Sequence, residues 1–484
     1  MQETFQLRLS QTGFILGPIV FVFIWLFFPH NSIHPDAYKV LAIASLMIIW
    51  WLTEALPLPV TALLPLVLFP ATGVMSMSDA SLSFGNSVIF LFLGGFMIAI
   101  AMERHGLHER LAYKIIHITG TSSNGIILGF LIATAFISMW ISNTATALMM
   151  LPIAHSVIEI SKTKEKPQLN KDDKNFALSL MLVIGYAASI GGMATIIGTP
   201  PNVVFVGLYE KFYHQKINFL QWMKIAFPAT IFISALFYFL ITKVMYRVKN
   251  QARQSSSNFI HEKLLLLGPL QKTEKIVLAI FGLTSFLWIT QQPLNNLFGS
   301  NILNDTNIAI GGAILYFIIP VNFKKFEFVL HWQDTAKLPW GILLLFGGGL
   351  CLASGLEKTG IVQFIGNYVL SQNLSLDVLM IALIIITVML SEIMSNVALV
   401  QVLIPVVFGI AGNDSHKALM MGIPVTLAAS VGFMFPMATP PNAIVFGSGY
   451  IPIRKMVSVG FWLDVICIAI VYLVTKLTLP FIIS

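Results

Sequence analysis

Long apolar runs separated by short polar segments occupy most of the chain. A helix that crosses a bilayer needs about 20 predominantly apolar residues. Candidate spans of this kind begin near the following residues: Gly13, Ala37, Leu56, Asn86, Phe176, Ile225, Glu274, Thr306, Pro339, Lys417 and Val459. The pattern therefore predicts about 11 transmembrane helices.

Two further apolar runs, 125–160 and 378–410, are each interrupted in the middle by a cluster of polar residues. Each half of such a run is too short to cross a bilayer comfortably. Polar, irregular backbone at membrane depth is stable only where it is buried in protein or lines a cavity. We therefore expect two re-entrant helical hairpins with the polar clusters at their tips. The runs 176–208 and 417–449 contain Pro-Pro pairs and predict helices that are broken midway.

The order of features in the first half of the chain recurs in the second half. The segment Phe92, Gly94, Gly95, Glu103 and Gly106 returns 254 positions later as Phe346, Gly348, Gly349, Glu357 and Gly360. Five predicted spans separate the two hairpins, and because five is odd, the second hairpin enters from the opposite face. The sequence thus predicts an all-α polytopic membrane protein built on an inverted repeat, which allows one central site to face each side alternately.

This pattern divides the chain into five regions. The N-terminal spans and the spans between the repeats are expected to form mainly a scaffold, and a basic loop separates the halves. The regions are 1–85 (N-terminal spans), 86–246 (first repeat), 247–273 (cytoplasmic basic loop), 274–338 (scaffold spans) and 339–484 (second, inverted repeat). We expect the basic loop to be a flexible, solvated connector.

Composition excludes a water-soluble protein. Hydrophobic residues make up 57% of the chain and charged residues only 10%, against about 45–50% and about 25% in soluble domains. The net charge of +7 is assigned to cytoplasmic loops by the positive-inside rule, not to nucleic-acid binding. Lysine-rich segments at 162–174 and 243–275 fall on the same side in this topology. The expected location is the plasma membrane, with a cytoplasmic N-terminus.

The chemistry is expected at the hairpin tips. Ser142, Asn143 and Thr144 form the first cluster, and Ser395 and Asn396 repeat it 253 positions later. Helix N-termini at such a tip suit a carboxylate, and unwound carbonyl groups suit a small cation. Small polar residues also join membrane helices, but their duplication within a repeat favours a substrate site.

The motif Thr-Pro-Pro-Asn occurs once in each half, at 199–202 and at 439–442. Consecutive prolines remove backbone donors and disfavour helix at the preceding residue. Freed carbonyl groups and the Thr and Asn side chains then become available as ligands. A single proline would indicate only a kink, whereas the paired motif favours a binding site.

Ionisable residues are rare in the predicted spans, and each is a functional hypothesis in a membrane. Glu392 lies three residues before Ser395 and is the strongest candidate, whereas Asp464 is expected near the membrane interface. The sequence contains no phosphate-binding glycine-lysine loop, zinc-binding His-Glu motif or serine elbow. We therefore predict that the protein is not an enzyme.

The paired motifs resemble the divalent anion:sodium symporter family of di- and tricarboxylate carriers over nearly the whole chain. The resemblance implies an elevator-type secondary transporter, a homodimer in the lipid bilayer, and no cofactor other than coupling sodium ions. It implies substrate contacts at Ser142, Asn143, Thr144, Thr199, Ser395, Asn396, Val397 and Thr439. It implies a first sodium site at Ser138, Ser142, Asn143 and Gly198, and a second at Ser391, Asn396 and Ala438.

Val397 departs from the family pattern, because threonine usually follows the second Ser-Asn pair. The missing hydroxyl weakens the case for a second sodium ion and favours exchange of C4–C6 dicarboxylates such as succinate, malate, fumarate or 2-oxoglutarate. The alternatives are sodium-coupled dicarboxylate symport and a carrier for sulfate or citrate. An intramembrane enzyme and a channel are the rivals from other classes.

Overall fold

We analysed a computed structural model of the chain. It describes residues 2–28, 34–160, 170–246, 248–249, 253–299 and 302–482. Lys162, Lys164 and Lys166 of the first lysine-rich segment therefore lie outside the described residues. Seven helices in the described ranges are long and apolar enough to cross a membrane: Leu7–Phe27, Met77–Arg104, Lys171–Gly192, Phe219–Met245, Lys272–Phe298, Trp340–Lys358 and Ile453–Pro480.

The described part of the first 85 residues contains five α-helices, of which the first two pack against each other. They are α1 (Gln2–Phe27), α2 (Ala37–Thr53), α3 (Leu58–Ala62), α4 (Leu64–Thr72) and α5 (Met77–Leu82), followed by a 3-10 turn at Ser83–Gly85. The apolar run that begins near Leu56 is thus two short helices, because prolines recur through it and disfavour a continuous helix.

The region 86–246 contains a long helix, a short helix, a helical hairpin, a broken helix and a final long helix. These are α6 (Ser87–Arg104), α7 (Leu107–Ile118), α8 (Ser123–Ser138), α9 (Asn143–Glu159), α10 (Lys171–Gly192), α11 (Pro200–Tyr213) and α12 (Phe219–Phe239), which continues as a π-helical turn at Leu240–Met245. The predicted hairpin 125–160 corresponds to α8 and α9, and the predicted broken helix to α10 and α11.

The region from 339 onward repeats this order of elements. It contains α16 (Trp340–Lys358), α17 (Ile361–Leu370), α18 (Leu376–Ser391), α19 (Asn396–Ala411), α20 (Ser415–Ala428), α21 (Pro440–Gly447) and α22 (Ile453–Ile482). Between the two regions lie α13 (Gln254–Leu266), α14 (Lys272–Phe298), α15 (Asp305–Ile318), the strand pair β1 (Pro320–Asn322) and β2 (Glu327–Phe328), and a 3-10 turn at Trp332–Lys337.

The local signals that start equivalent helices are the same in both halves. Gly106 and Gly360 have φ values of +66° and +69° and precede α7 and α17, a conformation that glycine adopts without the steric cost of a Cβ atom. Ser122 and Ser375 cap the two hairpins, accepting bonds from the N–H groups of the third residue beyond. The sequence repeat therefore reflects a repeated set of turns and caps.

The basic region 247–273 is not only a connector, because its described part contains the helix α13. Arg253 donates to Asp173 at 2.9 Å and to the Ser123 hydroxyl at 2.8 Å, and Ile260 of α13 is fully buried. Lys249 also pairs with Asp172 at 2.9 Å. These contacts place the segments after α9 and after α12 together, which agrees with the expectation that both lie on one side.

Candidate functional site

The tip of the first hairpin is bonded to the end of α10. The Ser138 hydroxyl lies 2.7 Å from two acceptors, the Asn143 Oδ1 atom and the Ala188 carbonyl oxygen. Ser142 caps α9 by accepting a bond from the Ala145 N–H at 3.3 Å. The structure therefore brings together three of the four residues of the first predicted sodium site.

The interruption of the first broken helix is held by one amide side chain. The Asn202 Nδ2 group donates to the carbonyl oxygens of Gly192 (3.3 Å), Met193 (3.2 Å) and Thr195 (2.8 Å). The Thr195 hydroxyl donates to the Met139 carbonyl oxygen at 2.6 Å, which joins the interruption to the hairpin tip. The asparagine of the Thr-Pro-Pro-Asn motif thus stabilises the irregular backbone.

The second broken helix has the same frame. The Asn442 Nδ2 group donates to the carbonyl oxygens of Gly432 at 2.9 Å and Phe435 at 3.1 Å, which precede it by ten and seven residues, as Gly192 and Thr195 precede Asn202. The Thr439 hydroxyl accepts from the Asn442 N–H at 3.4 Å. The two copies of the Thr-Pro-Pro-Asn motif therefore hold the two interruptions through equivalent hydrogen bonds.

The second tip differs from the first in its hydrogen bonds. The Ser391 hydroxyl donates to the carbonyl oxygens of Val388 at 2.8 Å and Val431 at 2.6 Å. Among the described residues, the Asn396 Oδ1 atom is buried without a hydrogen-bond partner. Ser395 begins α19 without a side-chain cap bond. The second tip thus retains polar atoms whose hydrogen-bonding capacity is not used by the described residues.

Glycines allow the tips to approach the interruptions closely. A Cβ atom on Gly192 would lie 2.3 Å from the Asn143 Oδ1 atom, and one on Gly198 would lie 2.4 Å from the Gly192 carbonyl oxygen. A Cβ atom on Gly432 would lie 3.0 Å from the Ser391 carbonyl oxygen and 3.3 Å from the Ala438 Cβ atom. Of the residues assigned to the sodium sites by resemblance, Gly198 thus lies beside Gly192, which contacts the first tip, and Ala438 lies beside Gly432, which contacts Ser391.

Helices from both halves surround each tip. The helix α9 packs against α10 and α21, and α19 packs against α11 and α20. Four of these helices begin at the motifs themselves, with N-termini at Asn143, Pro200, Asn396 and Pro440. Unpaired N–H groups at the N-termini of α9 and α19 favour anions, whereas α11 and α21 each begin with two prolines, which carry no N–H group. Each hairpin tip and the interruption that it contacts therefore form a candidate site, against which helices of both halves pack.

The substrate residues proposed from the sequence differ in exposure. Both tip triplets, 142–144 and 395–397, are partly accessible, whereas Thr199 and Thr439 are buried at the starts of α11 and α21. Val397 packs against the surrounding apolar side chains. The first tip thus presents a hydroxyl group, Thr144, where the second presents an apolar side chain.

The sequence singles out Glu392 but not its partners, and it predicts Asp464 near the membrane interface. The Glu392 carboxylate accepts bonds from the N–H groups of Phe433 (2.8 Å), Met434 (3.0 Å) and Phe435 (3.1 Å). Asp464 is buried within the protein, with 4% of its surface exposed. The sequence signal for Glu392 was an ionisable residue within an apolar run, three positions before Ser395.

Comparisons with known proteins agree with the resemblance. Residues 10–483 match the family model described as the sodium:sulfate symporter transmembrane region. A sodium-dependent dicarboxylate transporter, SdcS, of Staphylococcus saprophyticus is 39% identical over 473 residues, which cover 97% of this chain and 91% of that protein. The SdcS of Staphylococcus aureus is 38% identical over 476 residues, covering 98% and 92%.

A solved structure shares the fold at low sequence identity. The Alcanivorax borkumensis YdaH transporter, described as having an unusual topology, superposes with a TM-score of 0.55 and 11% identity, covering 82% of this chain and 85% of that one. The helical membrane fold predicted from the sequence is thus confirmed. The chain belongs to the sodium:sulfate symporter family, the divalent anion:sodium symporters, and is a membrane transporter, not an enzyme.

Proposed function

We propose that the protein is a secondary transporter of C4–C6 dicarboxylates that is driven by sodium ions. The observation that carries this proposal is the pair of polar hairpin tips, each bonded to the interruption of a broken helix. Two relatives of similar length that are sodium-dependent dicarboxylate transporters support the substrate class and the ion. Succinate, malate, fumarate and 2-oxoglutarate are the substrates that we expect.

The tips supply suitable chemistry for a dianion with two separated carboxylates. Each tip presents a serine hydroxyl, an asparagine amide and a helix N-terminus, so each can bind one carboxylate without a basic side chain. We assign these contacts to the following residues: Ser142, Asn143, Thr144, Thr199, Ser395, Asn396, Val397 and Thr439. Amide and hydroxyl donors and helix N-termini bind carboxylates by charge-assisted hydrogen bonds.

Sodium ions fit the oxygen atoms beside the tips. Carbonyl oxygens of unwound backbone coordinate sodium in transporters with broken helices. The Asn396 Oδ1 atom is buried without a donor among the described residues. It is therefore an oxygen ligand that remains available to a sodium ion. We assign the first site to Ser138, Ser142, Asn143 and Gly198, and the second to Ser391, Asn396 and Ala438.

Exchange of one dicarboxylate for another is the second candidate function. It is favoured by Val397, which places an apolar side chain where the first half has Thr144 and leaves the second tip with fewer polar ligands. A carrier for sulfate or citrate with the same architecture is the remaining alternative. Competition of these anions with succinate separates the substrate classes.

The test is succinate uptake into proteoliposomes, with and without a sodium gradient and with and without succinate inside. Uptake into empty vesicles that requires sodium supports symport. Uptake that requires internal succinate and ignores sodium supports exchange. Absence of uptake under all four conditions overturns the dicarboxylate proposal, and saturable counterflow excludes a channel.

We further propose that the protein is a homodimer in the plasma membrane that moves its site between the two faces by an elevator-type displacement. The N-terminus is then cytoplasmic, because the lysine-rich segments lie inside by the positive-inside rule. Chemical cross-linking in native membranes tests the dimer. A single monomeric band at all cross-linker concentrations contradicts it.

A further inference from the structure

The carboxyl groups of Glu392 and Asp464 lie close together beside the second hairpin. Glu392 ends α18 and Asp464 lies in α22, a helix that packs against α18 and α20. Only 2% of Glu392 and 4% of Asp464 is exposed. The Asp464 carboxyl group lies within hydrogen-bonding range of the Glu392 carboxyl group. Buried acids in a membrane protein mark functional sites unless a partner neutralises them.

Three backbone N–H groups beside this pair donate to Glu392, those of Phe433, Met434 and Phe435. The Phe433 N–H faces both carboxyl groups but donates to Glu392 at 2.8 Å. The nearby Tyr186 hydroxyl donates to the Phe433 carbonyl oxygen at 2.6 Å, so it is not available to Asp464. Both oxygen atoms of Asp464 are consequently buried without a partner within the described ranges.

Among the described residues, no basic side chain forms a salt bridge with either member of the pair. The salt bridges that join described residues include neither Glu392 nor Asp464. Two adjacent buried carboxylates without a counter-charge are strongly destabilising. The N–H groups that point at Glu392 stabilise a negative charge there and disfavour a cation beside them. A proton on Asp464 removes one charge and supplies the missing hydrogen-bond donor.

The pair acts at a junction that both halves share. In the first half the Thr195 hydroxyl donates to the Met139 carbonyl oxygen at 2.6 Å. The same two positions are joined in the second half, where the Phe435 N–H donates to the Glu392 carboxylate at 3.1 Å. In the second half, the tip is therefore joined to the interruption through the Glu392 carboxylate. The position of that carboxylate determines how the tip is held.

We propose that Asp464 is a positioning residue that stays protonated and donates a hydrogen bond to Glu392, which holds the second hairpin tip against the interruption of the second broken helix. Glu392 follows Ser391 directly, and the segment it binds leads to Ala438. The Asp464 proton thus fixes the geometry of the second sodium site. This inference rests on the proposed sodium-driven transport, which it deepens by assigning a residue outside the tips.

Rescue by asparagine tests this role, because the side-chain amide introduced by Asp464→Asn still donates to Glu392, whereas a leucine side chain does not. The measured quantity is the sodium concentration that gives half-maximal succinate uptake into proteoliposomes. For Asp464→Asn we expect this concentration to lie within about twofold of the value for the unaltered protein. We expect Asp464→Leu to raise that concentration about tenfold, as the loss of a hydrogen bond to a charged group implies. Asp377→Asn is the matched control, because Asp377 lies in α18 of the same hairpin and forms an exposed ion pair with Lys476 of α22.

The outcomes separate the two proposals. If the unaltered protein transports no dicarboxylate, the proposed function fails. If it transports and Asp464→Asn loses sodium dependence as fully as Asp464→Leu, Asp464 acts as a charged cation ligand and the inference is overturned. Equal and unchanged sodium dependence in both variants also overturns it.

Infrared spectroscopy of the purified protein tests the proton without transport. A protonated carboxylic acid has a carbonyl stretch that is separate from the bands of carboxylates and amides. We expect the unaltered protein and Asp377→Asn to show this band at neutral pH, and Asp464→Asn to lose its intensity by one carboxyl group. An unchanged band in Asp464→Asn shows that Asp464 is ionised and overturns the inference.

Discussion

At the scale of single residues, Asn143 and Asn396 occupy the same place in the two tips with different partners. The Asn143 Oδ1 atom accepts from Ser138, whereas the Asn396 Oδ1 atom has no partner among the described residues. We expect Asn143→Ala and Asn396→Ala each to lower the affinity for succinate, because each removes a donor to a carboxylate. A hydrogen bond to a charged group is worth about 1.5–3 kcal/mol, or about tenfold to a hundredfold in affinity.

The measurement is the concentration dependence of succinate uptake, with the amount of folded protein checked by size-exclusion chromatography. Asn367→Ala, at an exposed position of α17, is the matched control and should leave uptake unchanged. Normal uptake by both tip variants would remove the assignment of the substrate site to these tips.

Val397 is the residue that distinguishes the second tip from the first. In Val397→Thr the new hydroxyl lies next to Asn396 and gives the second tip the same kind of polar group that Thr144 supplies in the first tip. A net hydrogen bond contributes about 0.5–1.5 kcal/mol, so we expect the sodium concentration for half-maximal uptake to fall by a factor of about 2 to 12. Val378→Thr, at an exposed position of α18, is the control. If both variants respond alike, the departure at Val397 has no part in ion coupling.

At the scale of elements, the approach of the first hairpin to α10 depends on Gly192. A Cβ atom there would lie 2.3 Å from the Asn143 Oδ1 atom, so Gly192→Ala must displace the Asn143 side chain or the tip. Overpacking of this kind costs about 1–3 kcal/mol. We expect loss of most succinate uptake with a modestly lowered melting temperature.

Gly282→Ala is the matched control, since Gly282 lies in α14 with no atom near the added methyl group. The alanine there should preserve uptake and melting temperature. Equal uptake by the two alanine variants would show that the close approach of tip and broken helix is not required for transport.

The elements that sequence could predict are those with a local signal. Polar interruptions located both hairpins, and the repeated asparagines, Asn202 and Asn442, hold both breaks through the same pattern of carbonyl groups. The helix α13 was missed because its sequence is polar and contacts such as that of Arg253 with Asp173 order its start. The burial of Asp464 was missed because it depends on how α22 packs, which no local pattern encodes.

At the scale of the whole molecule, the repeat predicts that equivalent segments of the two halves lie on opposite faces of the membrane. Lys174, at the start of α10, and Asn413, between α19 and α20, are exposed and follow the hairpins of their respective halves. The contacts of Asp172 and Asp173 with Lys249 and Arg253 place the first of these segments beside the basic region. By the positive-inside rule, we expect that face to be cytoplasmic.

Labelling of single cysteines tests this arrangement, because the native Cys351 and Cys467 are fully buried and can be replaced by alanine. In intact cells, a membrane-impermeant maleimide should modify Asn413→Cys and leave Lys174→Cys unmodified. In inside-out vesicles the pattern should reverse. Modification of both positions from the same side would mean that the second hairpin enters from the same face as the first. The two halves would then form a parallel repeat, and a site between them would lack the symmetry that lets one set of ligands face each side in turn.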